Sequence, residues 1–462
     1  MEEPDSNATI IKVVQSTIEA GYVSCDELAE DVAQLDNLRK DTDSPSSLSS
    51  NDAGYNSSID DYESKKEKQN FSHSQFKELR AEDVIKLFKE TELSENIVII
   101  LRGAYIGLPA HCEVPTRPEW LDMEKFKAGQ QFALDYYFGV NYSQMISLFI
   151  MFSFPGGLEP LIYTDKSSTP YTAYKRYLST ASRVRSWFET DVWSENSEGY
   201  KNIKRVRAMH LNVSKKLNSS SKAEVENLIS IEKSARHSSL WCPLNETFGQ
   251  IFTTKCPFSP IAKQLKEEKR LVFSQTEMSL TQFAFFGLII MYPEKFGASS
   301  ATKESLESFV HFWRGIGYLL GIGDEFNFCQ GSFEEVKQRC QDMVDILIKP
   351  NFKNVSKEWE HMSRCMVEGV KFYIRILDFE TSLAYLFWVL GIETLELRLT
   401  WRQYFRFNHL KFFMRYTLSL PGVMSALNSR LVAIMKTEND ASPERHKDLK
   451  NRRFSYQKDI EN

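Results

Sequence analysis

Arg176, Thr180 and His210 are the residues whose types and spacing most directly offer chemistry. Arg176 and Thr180 lie four apart in Lys175-Arg176-Tyr177-Leu178-Ser179-Thr180, so a helix presents both on one face. His210 closes a second segment in which Ile203, Val206 and Met209 recur at helical spacing. Two facing helices, one bearing Arg and Thr and the other an imidazole, could hold an anionic macrocycle and ligate its metal. Arg207, three residues before His210, would share its face and could meet an acidic edge of such a group; the plainer alternative is an ion pair in solvent. The plainer alternatives for Arg176 and Thr180 are a surface arginine and a threonine used in helix packing.

Other metal chemistry finds little support. The chain has eight histidines, with no His-x3-His pair and no Cys/His cluster, so a zinc or di-iron site lacks local ligands. That pattern favours a metal carried inside a prosthetic group and held by one protein ligand. Seven scattered cysteines without a Cys-x-x-Cys pair suit a reducing compartment. The acidic start, Met1-Glu2-Glu3-Pro4-Asp5, lacks the apolar run of a secretory signal, so a cytoplasmic location is expected. Net charge is −5, with 16 acids against 6 bases in residues 1–70; the mildly positive remainder gives no case for nucleic acid.

The elements that must position these residues read as helices. Helical spacing begins near Ser72, marks Phe76 to Leu93 and continues, while period-two alternation is rare. Tyr142–Phe154, Phe283–Met291 and Leu383–Ile392 are apolar runs too short to span a bilayer, and read as buried core helices. The fold class expected is all-α: a large helical domain over 71–435, after an acidic, largely disordered region at 1–70 and before a flexible charged tail at 436–462. Within the first region Thr9–Leu38 has patchy helical character, and 41–70 has too few apolar residues to offset its ordering entropy. The polar text Ser214–Lys222 reads as a mobile loop, either a gate over a pocket or a solvated connector. Trp313, Arg314 and Tyr318 sit on a helix expected to end at Gly321-Ile322-Gly323, with Asp324 capping the next turn.

Several stretches, in order, carry a family resemblance. They are Gly156-Gly157-Leu158-Glu159-Pro160, Ser167-Ser168-Thr169-Pro170-Tyr171-Thr172-Ala173 leading into Arg176, and the text around His210. Thr281-Gln282-Phe283-Ala284-Phe285-Phe286-Gly287, Trp313-Arg314-Gly315-Ile316-Gly317-Tyr318 and Gly323-Asp324-Glu325-Phe326-Asn327 follow. From about Lys127 to Cys329 the chain resembles the latex-clearing-protein (rubber oxygenase) and MpaB-type oxygenase family. The resemblance implies a globin-like helical core binding haem b, with His210 as the iron ligand and Arg176, Thr180 and Arg207 beside the cofactor. It implies an O2-dependent oxidoreductase acting on an unsaturated, isoprenoid-like lipid, with Glu159 as a candidate base. Leu148, Phe149, Phe152, Phe283 and Phe286 are the candidates to line a hydrocarbon-accepting cavity. One departure stands out: rubber-cleaving members carry a lysine directly before the threonine, and here that place is Ser179. A substrate other than polyisoprene is therefore expected. Two alternatives remain open, a haem sensor or carrier without turnover and a haem-free helical lipid-binding or scaffold protein.

A second candidate is a surface spanning 398–415. Arg398, Arg402 and Arg406 recur every four residues, followed by Lys411 and Arg415, with Trp401, Tyr404, Phe405, Leu410, Phe412 and Phe413 between them. A basic face beside an aromatic one suits a helix lying on an anionic membrane. The plainer alternative makes the aromatics core and the bases their solvated rim. Because some relatives are ER-bound, a peripheral position on the cytosolic face of that membrane is a further expectation.

Overall fold

Most of the described helices begin where a short polar side chain receives the first free backbone N–H groups. The computed structural model describes residues 94–109, 113–220, 224–225, 271–352, 355–392 and 399–452. In chain order the helices are α1 (Glu95–Arg102), α2 (Met123–Asp135), α3 (Tyr137–Ser153), α4 (Pro155–Thr164), α5 (Pro170–Glu189), α6 (Glu198–Ser219) and α7 (Gln275–Met291). They continue as α8 (Lys303–Leu320), α9 (Phe333–Asp342), α10 (Lys357–Lys371), α11 (Phe379–Leu390), α12 (Trp401–Arg415), α13 (Val423–Asn439) and α14 (Pro443–Asn451). Asp122 starts α2 by accepting from the N–H groups of Glu124 and Lys125. Reciprocal capping boxes start α5 (Thr169 with Thr172), α7 (Ser274 with Glu277) and α9 (Ser332 with Glu335). There is no strand among the described residues, and the fold is all-α.

The core is organised around α7, whose residues are buried on nearly every side and which packs against both α3 and α8. Gln282 latches it in place. Its amide donates to Trp313 O at 2.7 Å and Asn327 Oδ1 at 2.9 Å, and accepts from Phe328 N at 2.9 Å. Helices α2 and α8 approach closely because Gly129 has no side chain; a Cβ there would sit 2.2 Å from Ser308 O. Phe126, Phe188, Phe309, Phe312 and Trp313 fill the space beside that crossing in tilted and edge-to-face contacts.

The three apolar runs lie in α3, α7 and α11 as buried helices, and no single described helix is long and apolar enough to cross a membrane. Helix α8 ends at Gly321, whose φ of 99° suits glycine. Asp324 caps nothing; it takes a forked contact from Arg314, with the shortest N–O distance 2.8 Å, while Arg314 lies over the Trp120 ring.

Three expectations are corrected. Ser214–Ser219 is the last part of α6, because Ser214 and Leu217 are buried and Asn218 is bonded at its end, and Ser220 is the residue at which the helix stops. The expected flexible tail is helical as far as Asn451: Leu449 is fully buried, His446 packs against Tyr171 and Tyr174, and Arg445 pairs with Glu438. Phe149, Phe152, Phe283 and Phe286 are buried core, Phe149 against Trp359 and Phe379 and both Phe283 and Phe286 against Phe328, and leave almost no surface with which to line a cavity; Leu148 alone of that set keeps some. The calls on 1–70, on the helix before Leu93, on Arg398 and on residues 453–462 lie outside the described residues.

Candidate functional site

Helices α5 and α6 are adjacent and pack together through a capped turn. Ser197 caps α6, Thr190 Oγ1 accepts from Gly199 N at 2.9 Å, and Asn202 of α6 donates to Ser186 of α5 at 3.0 Å. On its other side α5 meets α10, where His361 Nε2 lies 2.9 Å from Ser168 O and Gly369 gives the Pro170 and Tyr174 backbone room to approach. Arg176 is thereby held between neighbours and donates to Thr164 Oγ1, at the end of α4, at 3.2 Å.

Arg176 and His210 are brought into electrostatic reach of one another, each densely surrounded while keeping some accessible surface. Among the described residues Arg176 has no carboxylate partner. Burial lowers its proton affinity, but a guanidinium stays charged throughout the ordinary pH range. Burial first, and the Arg176 charge second, lower the His210 pKa to about 4, so the imidazole is neutral near pH 7. Its Nδ1 is buried with no hydrogen-bond partner. Burial also raises the Tyr177 hydroxyl to about 12, against the pull of neighbouring Arg176.

Sequence reasoning missed Phe273. Its ring meets His210 edge-on with centroids 5.1 Å apart. Its φ of 60° is a left-handed conformation that a bulky residue adopts at a cost of roughly 1–3 kcal/mol. Two residues of α6 on the His210 side of the helix hold that conformation. Ser214 donates to Phe273 O at 3.2 Å, while Asn218 donates to Val272 O at 2.9 Å and accepts from Val272 N at 2.8 Å. The segment is also pinned to α1 and its extension, Leu271 N to Ala104 O and Gln275 N to Ile106 O. The signal that could have found it is the Ser274-x-x-Glu277 capping box, which fixes where the chain must turn immediately after Phe273.

The other expected site residues are placed differently. Arg207 is buried, and its Nη1 donates to Leu319 O at 3.0 Å beside Gly321, so it closes the C-terminus of α8 rather than pairing in solvent. Thr180 is half-buried one turn beyond Arg176, and Glu159 is half-buried on α4. Among the described residues no three His, Cys, Asp or Glu side chains could jointly hold a metal ion.

No family model matches this chain. No curated protein matches it either. Among solved structures it is similar to latex clearing protein LCP in the closed state, at 14% identity and a TM-score of 0.45, over 75% of this chain and 80% of that one. At that identity and score the residues of the two chains are not equated position by position.

Proposed function

We propose that this chain binds haem b at His210 and, with O2, oxygenates an unsaturated lipid. The observation that carries the reading is a neutral imidazole whose Nδ1 is buried and, among the described residues, unpaired, in electrostatic reach of an arginine with no carboxylate partner among those residues. A metal ligand must be an unprotonated imidazole, and a pKa of about 4 keeps His210 in that form at every pH near neutrality. An uncompensated guanidinium in a low-dielectric setting calls for an anion, and the acidic edge of a porphyrin is one that fits. A single available nitrogen suits a metal that brings its other four ligands with it.

When bound, the haem would supply O2 activation; the protein's part is ligation, orientation and exclusion of water. His210 holds the cofactor, with Phe273 against the imidazole ring limiting its rotation. Arg176, steadied by Thr164, pairs with the anionic edge. Thr180 offers a hydroxyl one turn along the same face, and Glu159 is the carboxylate proposed to take a proton from the lipid.

The test is a visible absorption spectrum of the purified chain, oxidised and dithionite-reduced, beside His210→Ala. A Soret band in the parent that is lost or shifted in the variant is the expected result, followed by O2 consumption with an unsaturated lipid. No Soret band after haem is supplied would sink the haem reading. A His210-dependent band without O2 uptake would remove the oxygenase and leave a haem sensor or carrier.

A further inference from the structure

Nine large apolar side chains stand exposed among the described residues, and six of them belong to α12 and the turn after it. Trp401 is 75% exposed, Phe405 69%, Tyr404 61% and Phe412 58%, with Tyr416 and Leu420 continuing the line. Trp401, Phe405, Phe412 and Tyr416 recur at spacings that return to one side of a helix. The aromatics are therefore not core with a basic rim, as the plainer reading of the sequence would have them. Arg402 and Arg406 each follow an exposed aromatic and are themselves exposed, as is Arg415 beside Tyr416. No aspartate or glutamate occurs from Leu399 to Thr437.

The opposite side of α12 is firmly seated. Phe407, Met414 and Leu418 are buried, Phe413 meets Phe138, and Lys411 lies over the Trp388 and Phe407 rings. Thr400 and Gln403 form a capping box, and Gln403 also reaches Glu380 at 3.2 Å. A rigidly held helix thus projects a convex ridge of rings with positive charge along it.

We infer that this face docks on an anionic membrane surface, with the rings entering the headgroup layer and the arginines meeting lipid phosphates and carboxylates. Charge complementarity selects this occupant. An acid-free stretch with exposed arginines gains from any anionic bilayer, and long cationic side chains can lie along the apolar layer while their heads stay wet. Trp and Tyr, which pair an apolar body with a polar tip, are the aromatics that favour such an interface. A second copy of the same face would set arginine against arginine, so self-association is disfavoured.

The experiment is co-sedimentation of the full chain with phosphatidylcholine vesicles, with and without phosphatidylserine, across a range of salt. Two variants accompany it, Trp401→Ser/Phe405→Ser/Phe412→Ser and Arg402→Gln/Arg406→Gln, both checked for helical circular dichroism. All five positions are exposed, so folding should be unchanged. Expected is binding to the phosphatidylserine vesicles that weakens as salt shortens the screening length, with loss of about fivefold in affinity per arginine removed. Loss in the aromatic variant is expected as well. Failure of the parent to bind these vesicles overturns the proposal, as does binding that both variants retain. A parent that runs as a dimer, is dissociated by the aromatic substitutions and ignores vesicles would make the face a self-interface instead. None of these readouts depends on a cofactor.

Discussion

On α6 the Nδ1 atom of His210 is buried and, among the described residues, unpaired, whereas on α12 Trp401, Phe405 and Phe412 stand in solvent. Both depart from ordinary burial, in opposite directions, and the direction indicates the size of what is missing. A polar atom left unpaired inside the protein can be satisfied only by something small enough to enter, a water, a ligand or a prosthetic group. Apolar rings left outside can be covered only by something large and flat. The two regions should therefore respond oppositely to substitution: stability should move at the first, and association at the second.

The largest effect is expected from an arginine on the His210 helix that is anchored to the end of the neighbouring α8. Arg207→Ala should cost about 3 kcal/mol in urea unfolding, because it empties a buried site and strips Leu319 O of its donor at the end of α8. Arg176→Met, by contrast, removes a densely surrounded cation with no carboxylate partner among the described residues and should leave apo stability within about 1 kcal/mol or raise it. Equal losses at both positions would make Arg176 an ordinary structural arginine and erase the distinction between the two.

Next in size is a pH effect. The unfolded chain takes up a proton at His210 near 6.5, while the folded chain resists until about 4. Above 6.5 the group contributes nothing to the pH dependence. As pH falls through that window the unfolded state binds the extra proton, and stability should drop by roughly 2–3 kcal/mol. His210→Leu should remove this part of the acid slope, so the difference between parent and variant melts is the quantity to plot. A flat difference from pH 7 to pH 4 would mean that the imidazole is open to water.

Ser214→Ala tests the support behind that imidazole, with an expected loss of about 1 kcal/mol for one hydrogen bond. Its interest lies in where it falls. Ser214 belongs to text whose polarity resembles a loop, and the chain makes it helix because Ser214, Leu217 and Asn218 give one buried or bonded contact per turn. Leu449 and His446 do the same for the C-terminal charged segment. Sparse anchors of this kind leave no periodic apolar signal, whereas the dense runs in α3, α7 and α11 did announce buried helices. The Arg176–His210 pairing could be suspected from residue types and family-like text. Phe273 was signalled only indirectly, by the Ser274-x-x-Glu277 box that follows it, because its role comes from a left-handed backbone that hydrogen bonds from a distant helix hold in place.

The smallest stability effect should come from the most hydrophobic substitution sites. Trp401→Ser, Phe405→Ser and Phe412→Ser each remove a large ring that is already mostly in water, so little burial is lost, and unfolding free energies should stay within about 0.5 kcal/mol of the parent. If these rings instead packed against another part of the chain in solution, each deletion would cost on the order of 2–3 kcal/mol, the usual penalty for removing a buried aromatic's share of the core. The melting curve thus decides whether the ridge is free, before any vesicle is added. A free ridge leaves α12 as a surface whose apolar rings serve association. A costly one would make α12 a core helix and leave His210 as the one place in the pair where burial is incomplete.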